Sequence, residues 1–212
     1  IRLSLVGSEM CIRDRLYRKL GDLVDYPINY HVTGAIRLAH SRQRMEEFRH
    51  VCSMGKQMGV EFEMLTNSQI QELHPYIETH DLEGGQWDPL DGDIDPAQLT
   101  QALARGAKNN GGKIIRFCPA TNAQRVNDEW LITTPEGNIT CEYVVNAAGY
   151  RAAEVGKMFG RNVPCVSLAH QYLITEPIPE LEANKYKVPL LRDPDSSYYL
   201  RQEKDGLLLG PY

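Results

Sequence analysis

From Ala123 onward the chain alternates apolar and polar residues in short runs broken by turn residues, and this constrains the fold more than any other feature. In "AQRVNDEWLITTPEGNITCEYVVNAAGY" the runs fall at Ala123 to Val126, Trp130 to Thr134 and Ile139 to Val145, separated by Asn127-Asp128 and Pro135-Glu136-Gly137. A period of two puts alternate side chains on one sheet face, and such short connections permit only antiparallel neighbours. Further along, "CVSLAHQYLITEPI" (Cys165 to Ile178) reads as one long strand. Ser197 to Gln202 and Leu207 to Gly210 read as a hairpin around Lys204-Asp205-Gly206.

The N-terminal half has a different texture. Leu16 to Val24 predicts a short helix and "GAIRLAHS" (Gly34 to Ser41) an alternating strand. Arg42 to Met58 places Met45, Phe48, Cys52 and Met58 near helical spacing before Gly59, and "VEFEML" (Val60 to Leu65) alternates again. Thr66-x-x-Gln69 is a capping box opening a helix to about Leu73, stopped by Pro75.

"WDPLDGDID" (Trp87 to Asp95) invites a metal reading. A calcium loop needs glycine where Pro96 stands and glutamate where Ala102 stands, so that reading fails. Leu99, Ala102, Leu103 and Ala107 share a helical face, which makes Asp95 an N-cap, Pro96 the first helical residue, Asp91-Gly92 a turn and Asp93 a solvated charge. That helix ends in "NNGG" (Asn109 to Gly112), "KIIRFC" (Lys113 to Cys118) reads as a strand, and Arg151 to Phe159 as a helix closed by Gly160. The sum is an α+β chain, mixed α/β with much antiparallel sheet.

Composition bounds the function. A net charge of -5 without a basic run gives no support to nucleic-acid binding, and no apolar stretch approaches the length of a membrane span. Five dispersed cysteines without a C-x-x-C pair suggest no metal site and no disulfide framework, and fit small core residues in a reducing compartment. The chain opens at Ile1 and stops in the strand-like "DGLLLGPY", as expected of a piece of a longer protein with a sheet partner elsewhere. "SLVGSEMCIRDR" (Ser4 to Arg15) resembles a translated sequencing-adapter read-through, so residues 1–15 are set aside as a non-native artefact.

The stretch "YVVNAAGY" (Tyr143 to Tyr150) carries the first hint of chemistry. A strand ending in residues with almost no side chain lets a flat ligand or a backbone approach closely, and a following helix N-terminus favours negative charge. A tight strand-to-helix turn inside a core has the same appearance.

"GGQWDPLDGDIDPAQLTQALARGA", "VVNAAGYRAAEVGKMFG", "HQYLITEPIPE" and "LLRDPDSSYYLRQEKDGLLLGPY" together resemble the flavin-dependent amine oxidoreductases of the D-amino-acid-oxidase superfamily. The likeness is closest to the dimethylglycine dehydrogenases and, at a further remove, the sarcosine dehydrogenases, in order over about Leu16 to Tyr212. It implies part of an FAD-binding Rossmann-like domain interleaved with an antiparallel-sheet substrate domain. Residues 16–95 would be substrate-domain part, 96–160 FAD-domain part, and 161–212 a substrate-domain part truncated at its C-terminal end. The G-x-G-x-x-G fingerprint does not occur here, so the isolated chain is expected not to retain FAD.

By the same resemblance Asn146, Ala147, Ala148 and Gly149 face the flavin dinucleotide, Pro119-Ala120-Thr121 lies against its adenine part, and Arg151 takes a place often filled by tryptophan. None of the six histidines matches the one that bonds covalently to flavin. Oxidising an N-methylglycine needs an unprotonated amine, an anchored carboxylate and a dry pocket. His170 and Tyr172, two apart on the expected strand, are the catalytic candidates; a core histidine beside a packing tyrosine is the alternative. Arg192 and Arg201, with Tyr199, are candidates for holding the carboxylate, against surface ion pairs with Asp193 or Glu203. Trp87 lines the pocket or belongs to the core.

The expected function is oxidative demethylation of dimethylglycine or sarcosine, with the one-carbon unit released as formaldehyde or passed to tetrahydrofolate in a domain outside this chain. The acceptor would be an electron-transfer flavoprotein, or oxygen in an oxidase, in the bacterial cytoplasm or the mitochondrial matrix. The rival readings are another oxidoreductase of the superfamily, acting on an amino acid or hydroxy acid, and a non-catalytic ligand-binding module.

Overall fold

The computed structural model describes residues 16–211, so the expected artefact at 1–15 lies outside the described residues. In chain order the elements are a helix over 16–24 (α1), β1 (Tyr30–His31), β2 (Ala35–Ala39), α2 (Arg42–Gln57), β3 (Glu63–Leu65), α3 (Asn67–Leu73), β4 (Gly84–Asp88), β5 (Asp93–Ile94) and α4 (Pro96–Asn109). Then follow β6 (Asn122–Val126), β7 (Glu129–Thr134), β8 (Gly137–Cys141), α5 (Ala152–Met158), β9 (Leu173–Ile174), α6 (Pro179–Glu182), β10 (Leu190–Asp193), β11 (Tyr198–Glu203) and β12 (Gly206–Pro211). The chain forms two units, one of Lys113–Ala169 and the other of the residues on either side.

The larger unit holds a seven-stranded sheet in the order β3-β4-β2-β10-β11-β12-β9, in which only β2 and β10 run parallel. Register divides its faces. Ile36 lies opposite Trp87 and Leu191, and Leu191 opposite Leu200, so these residues make an apolar face. With Leu38, Leu65, Ile70 of α3 and Leu82 they form the main core, where each fully buried aliphatic side chain contributes roughly 1.5–3 kcal/mol. Trp87 belongs to this core. A Cβ on Gly34, at φ +74°, would lie 1.8 Å from its ring. A second cluster joins Leu20 and Val24 of α1 to Ala102 of α4.

The local signals form as the sequence predicts. Thr66 and Gln69 make the reciprocal capping box, and the Asp95 carboxylate accepts from the Ala97 and Gln98 N–H groups with Pro96 opening α4. Asp93 departs from its expected solvation. Its side chain is 12% exposed, 3.0 Å from His31 Nδ1 and 3.2 Å from Lys187 Nζ, because the β1–β5 ribbon folds it toward that lysine.

The smaller unit is the expected meander β6-β7-β8, followed by a single 3-10 turn (Gly149–Arg151) and α5. Asn127 (φ 48°) and Asp128 (φ 63°) are both left-handed, as a two-residue connection twisted like its strands requires. Trp130 and Phe159 pack edge to face at 4.9 Å, fixing α5 on the meander.

Of the expected strands, Val60–Leu65 pairs only over Glu63–Leu65, and three others are shorter or absent. Lys113–Cys118 is not a strand: Ile114 and Ile115 are exposed and Phe117 turns left-handed at φ 57°. The strand to Val145 stops at Cys141, and of Cys165 to Ile178 only Leu173–Ile174 pairs, with Leu208 and Leu209. A strand exists only where another supplies its hydrogen bonds, and among the described residues no ladder reaches residues 113–118, 142–145 or 165–172. The four cysteines described are part-buried or exposed, not core.

Candidate functional site

The turn after the meander is built from its own side chains. Asn146 donates from Nδ2 to the Ala152 carbonyl at 2.9 Å and accepts at Oδ1 from the Ala148 N–H at 3.3 Å, while the Arg151 N–H donates to the Ala148 carbonyl at 3.0 Å. Gly149 is left-handed at φ 55°, with open space where a Cβ would stand. Asn146, Ala147 and Gly149 are exposed and Ala148 partly so. The result is a braced, nearly side-chain-free surface onto which a flat cofactor can settle without displacing a side chain. Arg151 points its guanidinium over the Tyr150 ring at 5.7 Å from the centroid, and Ala120 is exposed before β6. Beneath the turn a cavity of about 280 Å³ is lined by Trp130, Val144, Asn146, Phe159, Arg161 and Val163.

In the larger unit the second sheet face is polar along one row. Arg192 lies directly opposite Tyr199, and Arg201, two residues beyond Tyr199, projects to the same side opposite Leu208. The Tyr199 ring covers Gly210, where a Cβ would meet its Cζ at 2.2 Å, so glycine there lets the phenol lie flat on the sheet. Both arginines carry a carboxylate. Arg201 Nη2 is 2.7 Å from Glu203, as in the alternative reading, and Arg192 Nη2 is 3.2 Å from Asp91 rather than Asp193. Asp193 is occupied elsewhere. It is 1% exposed, accepts from the Asp195 and Ser196 N–H groups at 3.1 and 2.9 Å, and lies 2.8 Å from His40 Nε2. Burial pulls the His40 pKa down, but the Asp193 hydrogen bond and the charges of Asp193, Asp81 and Asp195 outweigh it and leave it raised.

His170 and Tyr172 lie in the extended segment before β9 and are exposed, Tyr172 at 63%. The shared face expected for them rested on a strand that does not reach them. Sequence reasoning missed Arg37. It stands between Gln86 and Arg192 in the cross-strand register, on the row that carries Tyr199. The signal was a lone charge centred in an otherwise buried five-residue strand. Among the described residues there is no group of three metal-ligating side chains, and no helix is long and apolar enough to cross a membrane.

The family model for FAD dependent oxidoreductases matches residues 7–212. The chain belongs to this family. It is 40% identical over 199 residues to mitochondrial dimethylglycine dehydrogenase of Mus musculus, covering 93% of this chain and 23% of that protein. It is 36% identical over 220 residues to mitochondrial sarcosine dehydrogenase of Homo sapiens, covering 100% of this chain and 24% of the relative. The chain thus spans about a quarter of the length of these curated relatives. Among solved structures, L-proline dehydrogenase from P. horikoshii superposes with a TM-score of 0.80 at 22% identity, over 99% of this chain and 54% of that one, which supports the fold. The mixed α/β architecture agrees with family membership, and the open Asn146–Gly149 surface fits the flat cofactor that the family name carries.

Proposed function

We propose that this chain is part of an enzyme that oxidatively demethylates an N-methylglycine, dimethylglycine or sarcosine. The observation that carries the reading is the row Arg192, Tyr199, Arg201 on one sheet face, in a chain 40% identical to a dimethylglycine dehydrogenase. We assign the sheet of the larger unit to the substrate side and the Asn146–Arg151 turn, with Ala120, to the cofactor side.

FAD, when bound, supplies the two-electron acceptor for a hydride leaving the N-methyl carbon. The chain's own residues do the rest. The guanidinium forks of Arg192 and Arg201 attract the substrate carboxylate, and the Tyr199 ring and hydroxyl give the amine an apolar wall and a polar contact. His170 accepts the proton of the substrate ammonium, since only the neutral amine has the lone pair that assists hydride departure, and Tyr172 orients the amine beside it. Water then adds to the iminium carbon, giving formaldehyde and the demethylated amine. Transfer of the one-carbon unit to tetrahydrofolate, and of electrons to an electron-transfer flavoprotein, would use regions of the whole protein outside this chain. The relatives' names carry the word mitochondrial, which supports a mitochondrial place in a eukaryote; we take it to be the matrix, with the cytoplasm as the corresponding place in a bacterium.

The test is product analysis. The FAD-loaded holoprotein that contains this chain, given dimethylglycine and an electron acceptor, should yield sarcosine and formaldehyde in equal amounts. Release of the amino nitrogen as dimethylamine, with glyoxylate as partner product, would replace the demethylase reading by oxidation at the α-carbon.

A further inference from the structure

β2 is buried at four of its five positions, and the exception is its central residue, Arg37. A guanidinium there carries five N–H donors, which at a partly exposed position are open to water or to an incoming acceptor. Among the described residues the Arg37 guanidinium has no hydrogen-bond or ion-pair partner, its backbone being taken up by the sheet. Its cross-strand neighbours explain why. On one side Gln86 is buried and turned to the Cys52 sulfur, which its Nε2 approaches at 3.4 Å. On the other side stands Arg192.

Two arginines in register on adjacent strands, about 4.8 Å apart at the backbone, repel one another. Asp91 neutralises Arg192 at 3.2 Å, but no carboxylate of the described residues lies in the fork of Arg37. Asp88 attracts Arg37 through space without a hydrogen bond to its guanidinium. The row is therefore one contact anion short at Arg37. Arg201, by contrast, already has Glu203 at 2.7 Å.

We propose that Arg37 is an anion-binding residue that takes the carboxylate of the small-molecule substrate, with Arg192, held by Asp91, beside it as a second positive charge. This rests on the demethylase reading for the identity of the substrate, though not for the anion site itself. A carboxylate in the fork makes two parallel charge-assisted hydrogen bonds and relieves the Arg37–Arg192 repulsion. It places the amine of a substrate one carbon away, on the side of the row where Tyr199 lies.

The test is calorimetric titration of the full chain with acetate, with N,N-dimethylglycine and with N,N-dimethylethanolamine, which keeps the amine and lacks the carboxylate. Acetate and dimethylglycine should bind and the amino alcohol should not. Arg37→Gln should weaken acetate binding at least tenfold. Arg37→Lys, which keeps the charge and loses the fork, should weaken it less, and the distant Arg49→Gln should leave it unchanged. Far-UV circular dichroism reports whether each variant is folded, and Arg37→Lys decides the matter if Arg37→Gln is not. Acetate binding that survives in folded Arg37→Gln, or that matches wild type in Arg37→Lys, would overturn the proposal, as would equal binding of the amino alcohol. If Arg37-dependent acetate binding holds while the holoprotein oxidises no N-methylglycine, the anion site stands and the substrate reading fails.

Discussion

His40 Nε2 lies 2.8 Å from the buried carboxylate of Asp193, joining the residue that follows β2 to the residue that ends β10, its parallel neighbour in the sheet. The same carboxylate holds the Asp195 and Ser196 N–H groups, and Asp195 in turn takes the Arg44 guanidinium at 2.7 Å. Asp193→Ala leaves several of these donors without their acceptor and should cost about 2–4 kcal/mol in chemical denaturation.

The pH dependence of this link follows from the raised His40 pKa. The folded state favours the imidazolium, so the contribution is fully present below the unfolded value of about 6.5 and is lost as pH rises through the higher folded value. Thermal melts of wild type should therefore lose more stability between weakly acidic and alkaline pH than those of His40→Gln. Parallel profiles would show that the link does not respond to protonation.

His74 behaves oppositely. It is wholly buried, neither ring nitrogen has a partner among the described residues, and burial pushes its pKa down to about 4. Charging it in the folded state is unfavourable, so stability should fall as pH drops from about 6.5 to about 4, by about 3 kcal/mol in all. His74→Phe should remove that decline and be at least as stable as wild type at neutral pH, measured by urea denaturation at several pH values.

Gly34→Ala tests the packing of Trp87. The added methyl would overlap the indole, and φ +74° is unfavourable for alanine. The expected loss is about 3 kcal/mol or more, accompanied by a shift in tryptophan emission. A variant of unchanged stability would contradict the ring's position over Gly34.

What the sequence made legible was local chemistry. The Thr66–Gln69 box, the Asp95-Pro96 helix start and the Asn127-Asp128 turn depend on residues within three positions of one another, and each forms. Lys113–Cys118 and the segment through His170 and Tyr172 have strand-like composition, but a strand needs a partner distant in sequence, which periodicity does not report. The same limit applied to the site. The Tyr199 and Arg201 face was readable from alternation, whereas Arg192 opposite Tyr199, the Asp91 carboxylate on Arg192 and the position of Arg37 beside it are products of tertiary register. The carboxylates chosen by the arginines followed distance in space: Glu203 was near in sequence as well, and Asp91 was not.

Anaerobic titration of the FAD-loaded holoprotein is the decisive test of the proposed oxidation of an N-methylglycine. Dimethylglycine should bleach the visible flavin band with one equivalent of substrate per flavin, and glycine, which has no N-methyl group, should not. A flavin that stays oxidised with both dimethylglycine and sarcosine would contradict the account.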